Sequence, residues 1–174
     1  MGFSISWLGL RGLNIKEAAT LLQLEVGDQI DAFDTPMSIY ANENWAIAIL
    51  DECRFPGPPD QFLAAISKGR ELIVVHVEEH VMFSHAELWR DGSIVWKVGH
   101  SGDQDVWDFH ATGDVPASLE TLRQQVFSKQ GEEEEVDDDY VFDIPLDLAA
   151  ELTSFRHDEW VPDRLFFELV EKTT

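Results

Sequence analysis

The sequence predicts an α+β fold, a mainly antiparallel sheet of roughly six to eight strands packed by about four helices. Three observations predict it. Residues 71–111 hold four β-rich runs in succession, at 71–80, 81–89, 93–100 and 105–111, which read as a central meander. Asp91-Gly92 separates two of these runs, and Asp-Gly is a strong hairpin signal because a type I′ turn needs positive φ at both central residues. Outside the meander, apolar residues recur at helical spacing. Helices and edge strands are therefore expected to surround the meander.

Within it, Leu-Ile-Val-Val-His-Val at 72–77 is a nearly continuous apolar run, as in a strand covered on both faces. The Asp91-Gly92 turn sets an expected register: Arg90 opposite Ser93, Trp89 opposite Ile94, Leu88 opposite Val95, Glu87 opposite Trp96, His85 opposite Val98. Strict alternation then places His85, Glu87 and Trp89 on one face with Ile94, Trp96 and Val98. A fourth strand is expected at 106–110.

Residues 3–10 alternate as a strand with a buried Phe3/Ile5/Trp7 face. Asn14 and Glu17 form a capping box for a helix whose apolar face is Ile15, Ala18, Ala19 and Leu22. Gly27-Asp28 reads as a polar connection. Strands follow at 37–41 and 45–50, joined through Asn42-Glu43-Asn44. The prolines of 53–59 make a loop, then a helix at 60–68 with Phe62, Leu63 and Ile66 inward and Gly69 just past its end. Pro116 opens a third helix with Val115, Leu119, Leu122 and Val126 on one side. Pro145 opens a fourth, with Leu148, Leu152 and Phe155 inward and 155–159 ending it. Residues 165–170 read as a late strand. Between the last two helices stands an acidic run, seven acids in the eight residues 132–139, whose self-repulsion predicts a mobile solvated loop at about 130–139. No repeat or composition break divides residues 1–174, so one domain is expected.

The chain carries 34 acidic and 12 basic residues, a formal charge of −22. Nucleic-acid backbones and anionic membranes both require a cationic surface, so neither is an expected partner; a basic protein is. The single cysteine, Cys53, leaves no internal disulfide or thiolate cluster. No signal peptide, membrane span or convincing myristoylation signal is read, so a cytoplasmic location is expected.

Motifs for chemistry are sparse. His76, His80 and His85 lie near Glu78, Glu79 and Glu87 but lack a zinc spacing, so no metal or other cofactor is expected. There is no G-x-S-x-G elbow, and a lone cysteine needs a lowered pKa to react. Carboxylate pairs are too abundant to point to a hydrolase. Gly99-His-Ser-Gly102 lacks the lysine and strand–helix context of a phosphate loop, and 132–139 lacks the EF-hand glycine. His85, Glu87 and Trp96 would line a ligand pocket beside the meander if the chain were an enzyme or small-molecule binder. Trp7, Trp45 and Trp96 are expected in the core, Trp107 in the fourth meander strand, and Trp160, flanked by Asp158, Glu159 and Asp163, is the candidate interface anchor.

Ser6-Trp7 with Arg11-Gly12, the Val77-Glu-Glu-His-Val-Met82 segment with its Trp89-Arg90-Asp91-Gly92 hairpin, and Phe155-Arg156-His157-Asp158 together resemble an uncharacterised family of small acidic bacterial proteins. That resemblance spans nearly the whole chain and carries over no catalytic residue or ligand. In general type (small, acidic, poor in sites) the chain is similar to immunity proteins that neutralise secreted toxin domains. The expected function is therefore a non-enzymatic acidic binding protein that occludes a basic partner such as a toxin domain. Glu78, Glu79, Glu132, Glu133, Glu134, Glu135, Asp137, Asp138 and Asp139 would supply the field and Trp160 the buried anchor. The ligand pocket is the alternative, and a nucleic-acid mimic a third.

Overall fold

Leu72, Ile73, Val74 and Val75 are all fully buried, which a strand achieves only where both faces of its sheet are covered. A computed structural model, describing residues 2–52, 59–131 and 138–172, shows how. Among the described residues there are nine strands: β1 Ser4–Arg11, β2 Leu24–Ile30, β3 Met37–Ala41, β4 Trp45–Asp51, β5 Glu71–Glu78, β6 Phe83–Arg90, β7 Ser93–Ser101, β8 His110–Gly113 and β9 Phe166–Glu171. The helices are α1 Ile15–Leu21, α2 Pro59–Ile66, α3 Ser118–Gly131 and α4 Asp143–Thr153. The strands form a single antiparallel sheet in the order β2-β9-β3-β4-β1-β5-β6-β7-β8. No helix among the described residues is long and apolar enough to cross a membrane.

Alternation along β1 feeds two cores. Ile5 and Trp7 pack with Ile47, Ile49, Ile73 and Val75 beneath α3 and α4. Leu8 and Leu10 pack with Ala46, Ala48, Leu72 and Val74 beneath α1 and α2. The meander is thus one wing of the sheet, and β1 occupies the centre. Its expected single buried face is corrected to two, because helices lie on both sides.

Several elements form as read. Asn14 and Glu17 make the reciprocal capping box at α1. Asp91 and Gly92 both have positive φ, 51° and 82°, as a type I′ turn requires. Strands β3 and β4 meet through Asn42, whose Oδ1 accepts from the N–H groups of Asn44 and Trp45.

Other expectations are corrected. The Gly27-Asp28 stretch lies inside β2, an edge strand; polar residues on an edge are tolerated and hide the strand period. The fourth meander strand is β8, at 110–113 rather than 106–110. Asp105 and Asp108 side chains accept from Trp107 N and Ser101 N, folding the preceding segment into turns and leaving Trp107 in a loop against Phe127. In the last turn of α4 the inward position belongs to Thr153, whose hydroxyl donates to Ala149 O, while Leu152 is 40% exposed. That helix ends at Thr153, with Ser154 left-handed, so Phe155 enters the core from the loop beyond it. The third helix starts at Ser118, two residues after Pro116. The loop around Cys53 and the acidic residues 132–137 lie outside the described residues; Asp138 and Asp139 lie within them.

The register carries the largest correction. Arg90 faces Ser93 and Trp89 faces Ile94 as expected, but Val95 is an extra residue on β7, so Leu88 faces Trp96, Glu87 faces Lys97 and His85 faces Gly99. A bulge of one residue reverses every side chain beyond it. Trp96 therefore points into the core under α4, on the opposite face from His85 and Glu87.

Phe155 stands edge-on to Trp7 at 5.1 Å and beside Tyr40 at 6.2 Å. Phe155→Ala is expected to cost about 3–5 kcal/mol in urea unfolding, since the side chain is almost wholly buried.

Candidate functional site

The left-handed Ser154 turns the chain away from α4 and begins the loop that builds the most distinctive concavity. Arg156 folds back onto the helix it has just left. Its guanidinium bonds Asp147, lies 2.9 Å from Asp143, and also forks onto Asp158 at 2.9 and 2.8 Å. Burial works against the charged guanidinium, but the Asp158 and Asp143 carboxylates more than offset it and raise the Arg156 pKa. The Arg156 hydrogen bonds in turn hold Asp158 below its usual value. Asp147 moves the other way, because burial outweighs its ion pair.

His157 turns inward beside this clamp. Its ring is buried edge-on against Phe3, with centroids 4.9 Å apart. Its Nε2 lies 3.3 Å from Glu79 Oε1, while Glu79 Oε2 accepts from Phe3 N at 2.8 Å. Its Nδ1 is buried and has no partner. Phe33, from the β2–β3 connection, closes on Phe3 at 5.0 Å. Arg164 lies over Tyr40 and Phe155 and donates to the carbonyls of Glu159 and Ser154, with Nε buried and unpartnered. Phe3, Phe33, Arg156, His157 and Arg164 line an open pocket of about 560 Å3, with Asp31, Glu159 and Trp160 also on its wall. Trp160 is 85% exposed.

A second constellation lies on the α1/α2 side of the sheet. Ser6 Oγ is 2.6 Å from His76 Nδ1, and the His76, His85 and His110 rings follow at 6.1 and 6.2 Å. Gly99 makes room for the file: a Cβ there would stand 2.4 Å from His110 Nε2. Glu87, buried, is 3.4 Å from His85 Nε2, accepts from Trp89 Nε1 at 2.7 Å, and lies 3.7 Å from Lys97 Nζ. Burial opposes its charge, yet the His85 and Trp89 hydrogen bonds leave its pKa lowered. His76 is pushed down to about 4, by burial first and by the neighbouring His85, with Glu87 opposing. The three histidines read from sequence do not converge: His80 is exposed and bound to Glu78. Among the described residues no group of three His, Cys, Asp or Glu side chains is placed to hold a metal ion.

The acidic residues expected to meet a partner fall into three sets. Glu78 and Glu79 are partly engaged within the chain, on Ser4 and His80 and on Phe3 and His157. Glu132, Glu133, Glu134, Glu135 and Asp137 lie outside the described residues. Asp138 accepts from Tyr140 Oη, and Asp139 is committed inward, holding the buried His100 ring at 2.8 Å and the Phe142 N–H at 3.2 Å. The mobile solvated loop expected at about 130–139 is thus corrected at both ends: Gln130 and Gly131 close α3, and Asp139 is an ordered strut. Of the alternative pocket, His85 and Glu87 come together and Trp96 does not. Phe3, Phe33, Asp31 and Arg164 were not legible as site residues, since no spacing rule links segments so distant; the Phe155-Arg156-His157-Asp158 stretch and Trp160 gave the local signals.

No family model, curated protein or solved structure matches this chain.

Two pH effects follow. An unfolded histidine takes a proton near 6.5 but folded His76 only near 4, so its contribution is complete above 6.5 and lost as pH falls through 4. Wild type should lose on the order of 3 kcal/mol over that interval relative to His76→Gln, read by urea unfolding at each pH. His100 behaves oppositely. Burial disfavours its charge, but Asp139 and the Asp108 carbonyl raise its pKa. Its stabilisation is complete below 6.5 and is lost as pH rises through the folded value. The gap between wild type and Asp139→Asn should narrow across that rise.

Proposed function

We propose that this chain is a non-enzymatic acidic binding protein that occludes a basic protein, in the manner of an immunity protein covering a toxin. The observation that carries this reading is Trp160, 85% exposed between Asp158, Glu159 and Asp163. A lone exposed indole costs solubility, and tryptophan is the residue most enriched among energetic anchors of interfaces. Phe33 and Val161, both partly exposed, line the same concavity, giving the anchor an apolar surround within an acidic rim.

The charge of −22 supplies the second support. Long-range attraction speeds encounter with a cationic partner and rejects anionic ones, while the buried anchor sets the lifetime of the complex. The alternative, ligand binding beside the meander, loses Trp96 to the opposite face and keeps only His85 and Glu87.

The test is capture from lysate of the source organism at low salt, run in parallel with wild type and Trp160→Ala, and eluted with a salt gradient. A basic protein is expected at stoichiometric amounts on wild type, released by salt, and held at least ~30-fold more weakly by the variant, the size of a hot-spot loss. Retention indifferent to both salt and Trp160 would sink the reading.

A further inference from the structure

We propose that the pocket beside His157 receives one cationic side chain of the partner, arginine before lysine. The inference rests on the acidic-binding reading above and names the contact within it.

The argument starts at a single nitrogen. Glu79 is a carboxylate whose Oε2 already accepts from Phe3 N, and its Oε1 faces His157 Nε2 at 3.3 Å. An ionised carboxylate can only accept, so Nε2 carries the hydrogen. In the neutral ring Nδ1 is then a bare acceptor. It is buried, on a residue 5% exposed, and has no partner. A buried polar atom in that condition costs free energy unless a donor reaches it. A guest that donates a hydrogen bond would satisfy it, as a guanidinium or ammonium can and an ionised carboxylate cannot.

The surroundings favour the same guest. Six carboxylates, Asp31, Glu79, Asp143, Asp147, Asp158 and Glu159, line the pocket or bond the residues that do, against the guanidiniums of Arg156 and Arg164. Arg156 is neutralised by three of them. Asp31 and Glu159 are both exposed and have no side-chain partner among the described residues, so they are available at the mouth. Phe3, Phe33 and Trp160 give aromatic faces, on which a planar guanidinium stacks better than an ammonium.

Of the two guanidiniums on the pocket wall, Arg164 has no carboxylate partner among the described residues and opposes a cation. It is held away on Tyr40 and Phe155, 5.3 and 5.2 Å from their centroids, with its terminal nitrogens on backbone carbonyls. Its orphan Nε–H wants an acceptor, and a guest arriving on a peptide brings carbonyl oxygens with it.

The full chain would be titrated by NMR with N-acetyl-arginine methylamide, its lysine counterpart and its glutamate counterpart. The cationic probes are expected to bind and to move the His157 Nδ1 resonance, with the glutamate probe silent. The exposed double variant Asp31→Asn/Glu159→Gln should weaken cationic binding about ten-fold without altering the fold. Equal or tighter binding of the glutamate probe would overturn the inference, as would cationic binding that leaves the His157 Nδ1 resonance in place. A short arginine-rich peptide separates the two readings. If it binds wild type and double variant alike, the pocket inference falls and the acidic-surface reading stands. If it binds neither at low salt, both fall.

Discussion

Strand β1 is paired along its length to β4 on one side and β5 on the other, and both its faces are sealed. That constraint governs the polar groups of the interior. A polar group in a two-sided sheet has no water to fall back on, so most find a partner in the protein, Ser38 Oγ and Trp7 Nε1 being exceptions. Ser6 meets His76, Ser84 donates to Phe142 O at 2.7 Å, and Glu87 takes the indole N–H of Trp89. The histidine file follows from the same rule. It lies where strand side chains are polar rather than apolar, and its lowered His76 pKa is the signature of a ring kept neutral by burial.

Cations are scarce in this chain, and their placement is selective. Glu71 draws both Arg11 and Arg90 across three strands, while Arg156 draws Asp143, Asp147 and Asp158. The first pairs are exposed and worth little. The Arg156 clamp is half-buried and ties the loop after α4 to the helix itself, so it fixes where His157 and Trp160 stand. Most remaining carboxylates have no cation to meet within the chain. The acidic field is thus a standing property of the surface, and the pocket is where that field meets aromatic walls.

Much of the fold was legible because its signals are local. The capping box at Asn14, the Asp91-Gly92 turn, the apolar run at 72–77 and the helix stripes all act within a few residues. What escaped is non-local or masked. An edge strand tolerates Gly27 and Asp28 because half its backbone faces no neighbour. The bulge at Val95 has no sequence mark, yet it moved Trp96 away from His85 and dissolved the expected pocket. The pocket that did form draws on Phe3, Phe33 and the 155–164 loop, segments brought together only by the sheet order. Trp160 was readable as an anchor from its acidic neighbours; its exposure was not.

The position of β9 has a consequence for synthesis. It lies between β2 and β3, and β2 pairs with nothing else. During translation β2 emerges early and must wait, unpartnered, until residues 166–171 leave the ribosome. The meander wing needs no such delay, since β5 through β8 pair with their sequence neighbours. The β2–β9–β3 edge is therefore the part of the sheet that closes last, while β1, β4 and β3 can pair as soon as β4 is made. A nascent chain halted before β9 would expose the edge of β3 and the whole of β2, a state for a chaperone or a protease to meet.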